Sequence, residues 1–105
     1  EGDKYHALAE KYMPNGTCGV ISFGVPGGRE KVSAFLDHLK MVSIATHVAD
    51  ARSCTLYPAG TTHRQLTEEQ LIEAGVGIDL VRLSCGIENA DDIIADLDQA
   101  LAAVQ

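Results

Sequence analysis

The sequence predicts an α+β fold, a two-layer sandwich in which a four-stranded, mostly antiparallel sheet carries helices on one face. Three observations predict it. Apolar residues recur at period two in short runs and at the helical period in the segments between them. The two patterns follow one another in the order α-β-α-β-β-α-β-α. One strand passes to the next with no helix between, which departs from the βαβ alternation of a parallel sheet. With 105 residues, 46% of them hydrophobic, the chain suits one domain over residues 1–105, and no repeat or linker divides it.

Each element has its own signal. Tyr5 to Met13 reads as a short helix with Tyr5, Leu8 and Tyr12 on one side, ended by Pro14-Asn15-Gly16. Cys18 to Val25 alternates as a strand, with Ile21, Phe23 and Val25 opposite Val20, Ser22 and Gly24. Pro26-Gly27-Gly28 turns into a helix from Arg29 to about Leu39, whose stripe is Val32, Phe35, Leu36 and Leu39. Short strands are expected at Met41–Ala45 and Ser53–Tyr57, the second stopped by Pro58.

The next helix has the clearest ends. Thr67 and Gln70 form a capping box, Leu66 and Leu71 a hydrophobic staple, and Gly75 a C-terminal stop. A strand at Leu80–Cys85 follows, and Asn89 caps a last helix with Asp91 and Asp92 in its first turn. Its stripe is Ile93, Ile94, Leu97, Leu101 and Val104. The predicted core is Ile21, Phe23, Val32, Phe35, Leu36, Leu39, Leu56, Leu83, Ile93, Leu97 and Leu101.

Composition excludes several partners. A net charge of −7, from 15 acidic and 8 basic residues, gives no basic surface for nucleic acid or an anionic membrane. No apolar run reaches the ~20 residues of a spanning helix. Cys18, Cys54 and Cys85 are widely separated without a CxxC pair, which fits free thiols in a reducing, cytoplasmic setting. The opening EGDKYHALAEKYMP, without an initiator Met, reads as the interior of a longer protein. His6, His38, His47 and His63 match no zinc spacing, no G-x-S-x-G elbow frames a serine, and no phosphate-binding glycine loop occurs.

Two stretches remain. Ala59-Gly60-Thr61-Thr62-His63-Arg64-Gln65-Leu66 is dense in donors between a strand and a helix, though a solvated loop would read the same way. In LVRLSCGIE, alternation puts Val81, Leu83 and Cys85 on one face and Arg82, Ser84 and Gly86 on the other. Arg82 is either a charge on a wet sheet face or a carboxylate ligand. The small residues Ser22, Gly24, Ser84 and Gly86 around it would leave room for a ligand.

THRQLTEEQ, DLVRLSCGIE and DDIIADLDQAL, in this order, resemble the C-terminal domain of pyridoxal-phosphate enzymes of the Cys/Met metabolism family, of fold type I. ATHVADARS after Ser43 is most similar to the O-acetylhomoserine sulfhydrylases (homocysteine synthases) within it. Pro26 and Cys85 depart from residues common in that family.

The resemblance implies a transferase domain that binds substrate. Arg82 would clamp the substrate carboxylate with Ser43 beside it, and Thr61, Thr62 and His63 would line the approach. No catalytic, cofactor-binding or metal-binding residue is expected in this chain. The pyridoxal 5'-phosphate lysine would lie in the N-terminal domain of the same protein, because Lys4, Lys11, Lys31 and Lys40 have no matching context. The whole enzyme would be a cytoplasmic homotetramer of methionine biosynthesis, converting O-acetylhomoserine and sulfide to homocysteine and acetate. A cystathionine synthase or lyase of the same family, or a non-catalytic ferredoxin-like amino-acid-binding module, is the alternative.

Overall fold

The computed structural model describes residues 2–105. Helix α1 is His6–Tyr12, strand β1 Val20–Gly24, helix α2 Gly28–His38 and strand β2 Ser43–Ile44. Strand β3 is Cys54–Leu56, helix α3 Glu68–Glu73, strand β4 Leu80–Ser84 and helix α4 Ala90–Ala102. A single 3₁₀ turn, Pro58–Gly60, follows β3.

The strands form one sheet in the order β1-β4-β3-β2. β4 runs antiparallel to both β1 and β3, while β2 and β3 are parallel. Two of the three pairings are thus antiparallel, and the direct β2–β3 link is a crossing loop instead of a hairpin.

Helix ends follow local sequence. At α3 the Thr67 hydroxyl accepts the Gln70 backbone N–H, and the Gln70 side chain accepts that of Thr67. Its other end is a full Schellman turn: Gly75 at φ +73° donates to the Ile72 carbonyl, and Val76 to that of Leu71. Asn89 caps α4 through the Asp91 N–H. β2 is shorter than its apolar pattern because the backbone N–H groups of Met41 and Val42 are taken by the Asp96 carboxylate. The ladder therefore begins at Ser43.

Residues opposite one another in a ladder share a face. Ile21, Leu83 and Thr55 lie in one row of the helix-covered face. Behind it pack Val32, Phe35 and Leu36 of α2, Leu71 of α3, and Ile93 and Ala100 of α4, all buried. The Phe23 and Phe35 rings meet edge to face, with centroids 6.0 Å apart. Leu83 is buried beneath the helices and Arg82 points the opposite way, so the expected register holds.

Three expectations about the core need correction. Ile21 is 50% exposed, because β1 is an edge strand and its Ile21 end lies at the rim of the helix layer. Ile94 is 58% exposed: the buried stripe of α4 runs Ile93, Asp96 and Ala100, with Ile94 beyond its edge. Leu56 is buried, but it sits opposite Arg82 and so on the other face of the sheet. The side of α1 carrying Tyr5, Leu8 and Tyr12 is exposed.

Candidate functional site

The site is built on β4, one of the two inner strands, paired with β1 on one side and β3 on the other. Its face away from the helices carries Arg82 and Ser84. Arg82 is flanked by Ser22 of β1, which is exposed, and by the buried Leu56 of β3. Its Nη2 donates to the Thr46 carbonyl at 3.1 Å. Its Nε is buried without a hydrogen-bond partner. Among the described residues no carboxylate pairs with the guanidinium. A buried, unpartnered donor on a permanently charged group calls for an acceptor from outside the chain. A planar carboxylate takes two parallel N–H groups of a guanidinium, which a single-point cation cannot supply.

The cover over this face is the loop 45–53, the β2–β3 connection. It is tied down in several places. Arg82 holds the Thr46 carbonyl, and the Ala49 N–H donates to the Ser84 hydroxyl at 3.2 Å. The Ile87 N–H donates to Ala51, and Ser53 bonds Glu88 twice, from its N–H at 2.7 Å and its hydroxyl at 2.8 Å. The Ser53 hydroxyl in turn accepts the Gly86 N–H at 2.9 Å. The backbone N–H of Ser53, then the N–H of Glu88 itself and the Ser53 hydroxyl, hold the Glu88 carboxyl below its ordinary value.

This loop changes the meaning of the small residues. Ser84 is only 2% exposed and sits under Ala49, and a Cβ on Gly86 would collide with the backbone of Ala51 and Arg52. Ser84 and Gly86 make room for the loop, not for a ligand. Ser22 does leave open surface beside Arg82. A Cβ on Gly24 would lie 2.9 Å from the Asp79 carboxylate.

The other candidates are placed as follows. Ser43 shares the Arg82 face but stands two strands away, ~10 Å at about 4.8 Å per strand. The Thr46 carbonyl, not Ser43, is what touches the guanidinium. Thr61, Thr62 and His63 form turns after the 3₁₀ segment, leaving the end of β3 where Leu56 pairs with Arg82. The Thr61 hydroxyl donates to the Tyr57 carbonyl at 2.6 Å, and the Thr62 hydroxyl lies 2.8 Å from His63 Nδ1. Thr61 and Thr62 are exposed and His63 half-buried. Among the described residues no hydrogen bond joins these three to Arg82.

Sequence reasoning missed the residues that brace the site. Glu88 and Ser53 had no signal, since their partnership is tertiary. Asp96 had one: it interrupts the apolar stripe of α4, facing a segment with spare backbone donors.

No group of three or more potential metal ligands occurs among the described residues. The three cysteines are free. Pyridoxal phosphate would need a lysine for its Schiff base, an acid against its ring nitrogen and donors around its phosphate. The lysines do not fit that demand. Lys4, just before α1, lies over the ring of Tyr5, and Lys11 over that of Tyr12 on α1, which has no buried residue. Lys31 donates to the Val104 carbonyl, and Lys40 is exposed. These residues supply no cofactor site of their own.

Residues 1–102 match the family model described as Cys/Met metabolism PLP-dependent enzyme. The chain belongs to that family. The Cys/Met metabolism relatives include an O-acetyl-L-homoserine sulfhydrylase of Leptospira meyeri, 46% identical over 94% of this chain and 23% of the relative. A homocysteine synthase of Schizosaccharomyces pombe is 49% identical over 91% of this chain and 22% of its own length. The chain thus spans under a quarter of these relatives. Among solved structures, the Campylobacter jejuni protein assigned as an O-acetylhomoserine (thiol)-lyase superposes with a TM-score of 0.85. It shares 39% identity over 96% of this chain and 24% of that one, and it contains a pyridoxyl-lysine phosphate. A cystathione gamma lyase of Micromonospora echinospora gives a TM-score of 0.73 at 35% identity, over 79% of this chain and 21% of that one. The family match decides against the ferredoxin-like regulatory module.

Proposed function

We propose that this chain is the substrate-carboxylate-binding C-terminal domain of an O-acetyl-L-homoserine sulfhydrylase, which converts O-acetylhomoserine and sulfide to homocysteine and acetate. The observation that carries the reading is Arg82: a guanidinium with a buried, unpartnered Nε and no acidic partner among the described residues, beside open surface at Ser22. Identities of 46% and 49% to a sulfhydrylase and a homocysteine synthase support the choice of substrate.

In this reading Arg82 binds and orients the α-carboxylate of the amino-acid substrate. Thr61, Thr62 and His63 line the approach, and Ser43 lies further along the same face. The pyridoxal phosphate of the parent enzyme, its lysine and its phosphate ligands belong to a preceding domain of the same protein. That enzyme is a cytoplasmic homotetramer acting as a γ-replacement transferase in methionine biosynthesis. The likeness to a cystathione gamma lyase favours a second reading, elimination from cystathionine by the same architecture.

The test uses the full-length protein. Wild type should form homocysteine from O-acetylhomoserine and sulfide faster than it consumes cystathionine. A charge-assisted hydrogen bond contributes roughly 1.5–3 kcal/mol, and an unpaired buried carboxylate costs on the order of 2–5 kcal/mol. Arg82→Ala should therefore lower kcat/KM about 30- to several-thousand-fold, at ~1.4 kcal/mol per factor of ten. Arg82→Lys should recover little of it. The cofactor's visible absorption should be unchanged in both. A normal kcat/KM in Arg82→Ala would reduce Arg82 to a solvated surface charge.

A further inference from the structure

We infer that Ser84 is a positioning residue for Arg82, acting through the loop 45–53 and never touching substrate itself. The inference rests on the carboxylate-binding reading of Arg82 and adds what aims the guanidinium.

Arg82 has one fixed contact, from Nη2 to the Thr46 carbonyl. A long side chain with a single anchor is only as well placed as that anchor. Thr46 is exposed and belongs to no strand, so its carbonyl needs support from elsewhere in the loop. That support comes at Ala49, which adopts φ 59° and is the only non-glycine residue at positive φ among those described. A left-handed alanine persists only where its surroundings hold it. Its N–H is held by the hydroxyl of Ser84, which is 2% exposed and fixed on the inner strand β4. Arg82 and Ser84 stand on one face of β4, two residues apart, so one strand carries both the ligand-binding group and the post that sets its anchor. The far end of the loop is secured separately by Glu88 on Ser53. Removing the Ser84 hydroxyl therefore loosens the Thr46–Ala49 half and leaves the fold of the sheet intact.

The experiment is a kinetic cycle in the full-length holoenzyme with Ser84→Ala, Ser84→Thr, Arg82→Ala and the Arg82→Ala/Ser84→Ala double variant. Ser84→Ala should raise KM for O-acetylhomoserine roughly 3- to 10-fold, the size of one hydrogen bond's net contribution. KM for sulfide and the cofactor absorption should not move. Ser84→Thr, which keeps the hydroxyl, should restore most of the loss. The double variant should match Arg82→Ala alone, because Ser84 acts only through Arg82. Ala49→Val, which strains the same turn with Ser84 intact, should raise the same KM and stands in if Ser84→Ala does not fold. Wild-type KM in Ser84→Ala or Ala49→Val, or additive losses in the double variant, overturn the inference while leaving the carboxylate reading in place. A normal Arg82→Ala enzyme overturns the reading beneath it.

Discussion

The Asp96 carboxylate accepts the backbone N–H of Val42 at 2.9 Å, joining α4 to the segment that leads into β2. The same carboxylate takes the N–H groups of Lys40 and Met41, both at 2.9 Å, and the Gln99 side chain at 3.1 Å. One acid in an apolar stripe thus satisfies three successive backbone donors that neither α2 nor β2 can use. An unpaired buried donor costs about 1–3 kcal/mol, and water reaches part of this segment. Asp96→Ala should therefore destabilise the fold by roughly 2–4 kcal/mol, read as a lower denaturation midpoint with little change in slope. Asp96→Asn, with one acceptor oxygen left, should fall between.

Acid should act chiefly through the two lowered carboxyls that join separate elements, since the third, Asp50, is held by the N–H of Arg52 within its own loop. Burial raises the pKa of Asp96, but the N–H groups of Val42, Lys40 and Met41, with Gln99, outweigh it and bring the value below the ordinary one. Glu88 is lowered first by the Ser53 N–H. A carboxyl depressed in the folded state stabilises fully above its unfolded pKa, near 4, and that stability is lost as pH falls through the folded value. Unfolding midpoints should be flat from about pH 6 upward and drop below about pH 4. In Asp96→Asn/Glu88→Gln the drop should be shallower, and an equally steep decline would assign the acid sensitivity elsewhere.

Gly86 should tolerate no side chain. A Cβ there would run into the Ala51 carbonyl and the backbone of Arg52, neither of which can swing away as a side chain could. Overpacking of this kind costs about 1–3 kcal/mol. Gly86→Ala should lower the melting temperature and speed proteolysis within the loop 45–53. Gly28, where a Cβ meets nothing within 4 Å, is strained by its φ of +74° alone and should show no such loop opening.

The 105-residue chain by itself should form no stoichiometric, borohydride-reducible adduct with pyridoxal phosphate. Its lysines are on exposed surfaces or bonded to backbone, and none pairs with a carboxylate among the described residues. Mass spectrometry after reduction should find only scattered surface labelling. One lysine modified to completion would mean that this chain holds a cofactor site.

What could be read from the sequence was what neighbours in sequence decide. The ends of α3 and the cap of α4 were legible because Thr67, Gln70, Gly75 and Asn89 act within a few residues of themselves. The Arg82 and Leu83 faces were legible because alternation is a property of one strand. Leu56 was assigned to the wrong face because period two tells which residues alternate, not where the single buried side lies when both sides of β3 are covered. Ile21 was misplaced because edge position is a matter of strand order. Ser84 and Gly86 looked like space for a ligand, since size alone does not say what fills a gap. The loop over Arg82 depends on Ser53 meeting Glu88 and Ala49 meeting Ser84 across the fold, and no local pattern carries that.

The parallel pairing of β2 and β3 obliges the chain to double back past its own strand before it can pair, a journey no tight hairpin can make. The stretch so obliged is the one that spans Arg82. Its two ends are fixed by ladder bonds, Ala45 to Thr55 and Ser43 to Ser53, while its middle contributes no strand and no core residue. It is a cassette: recutting its exposed middle, Thr46 to Asp50, should alter the surroundings of the guanidinium, while the Ser53–Glu88 end must be kept for the loop to stay seated.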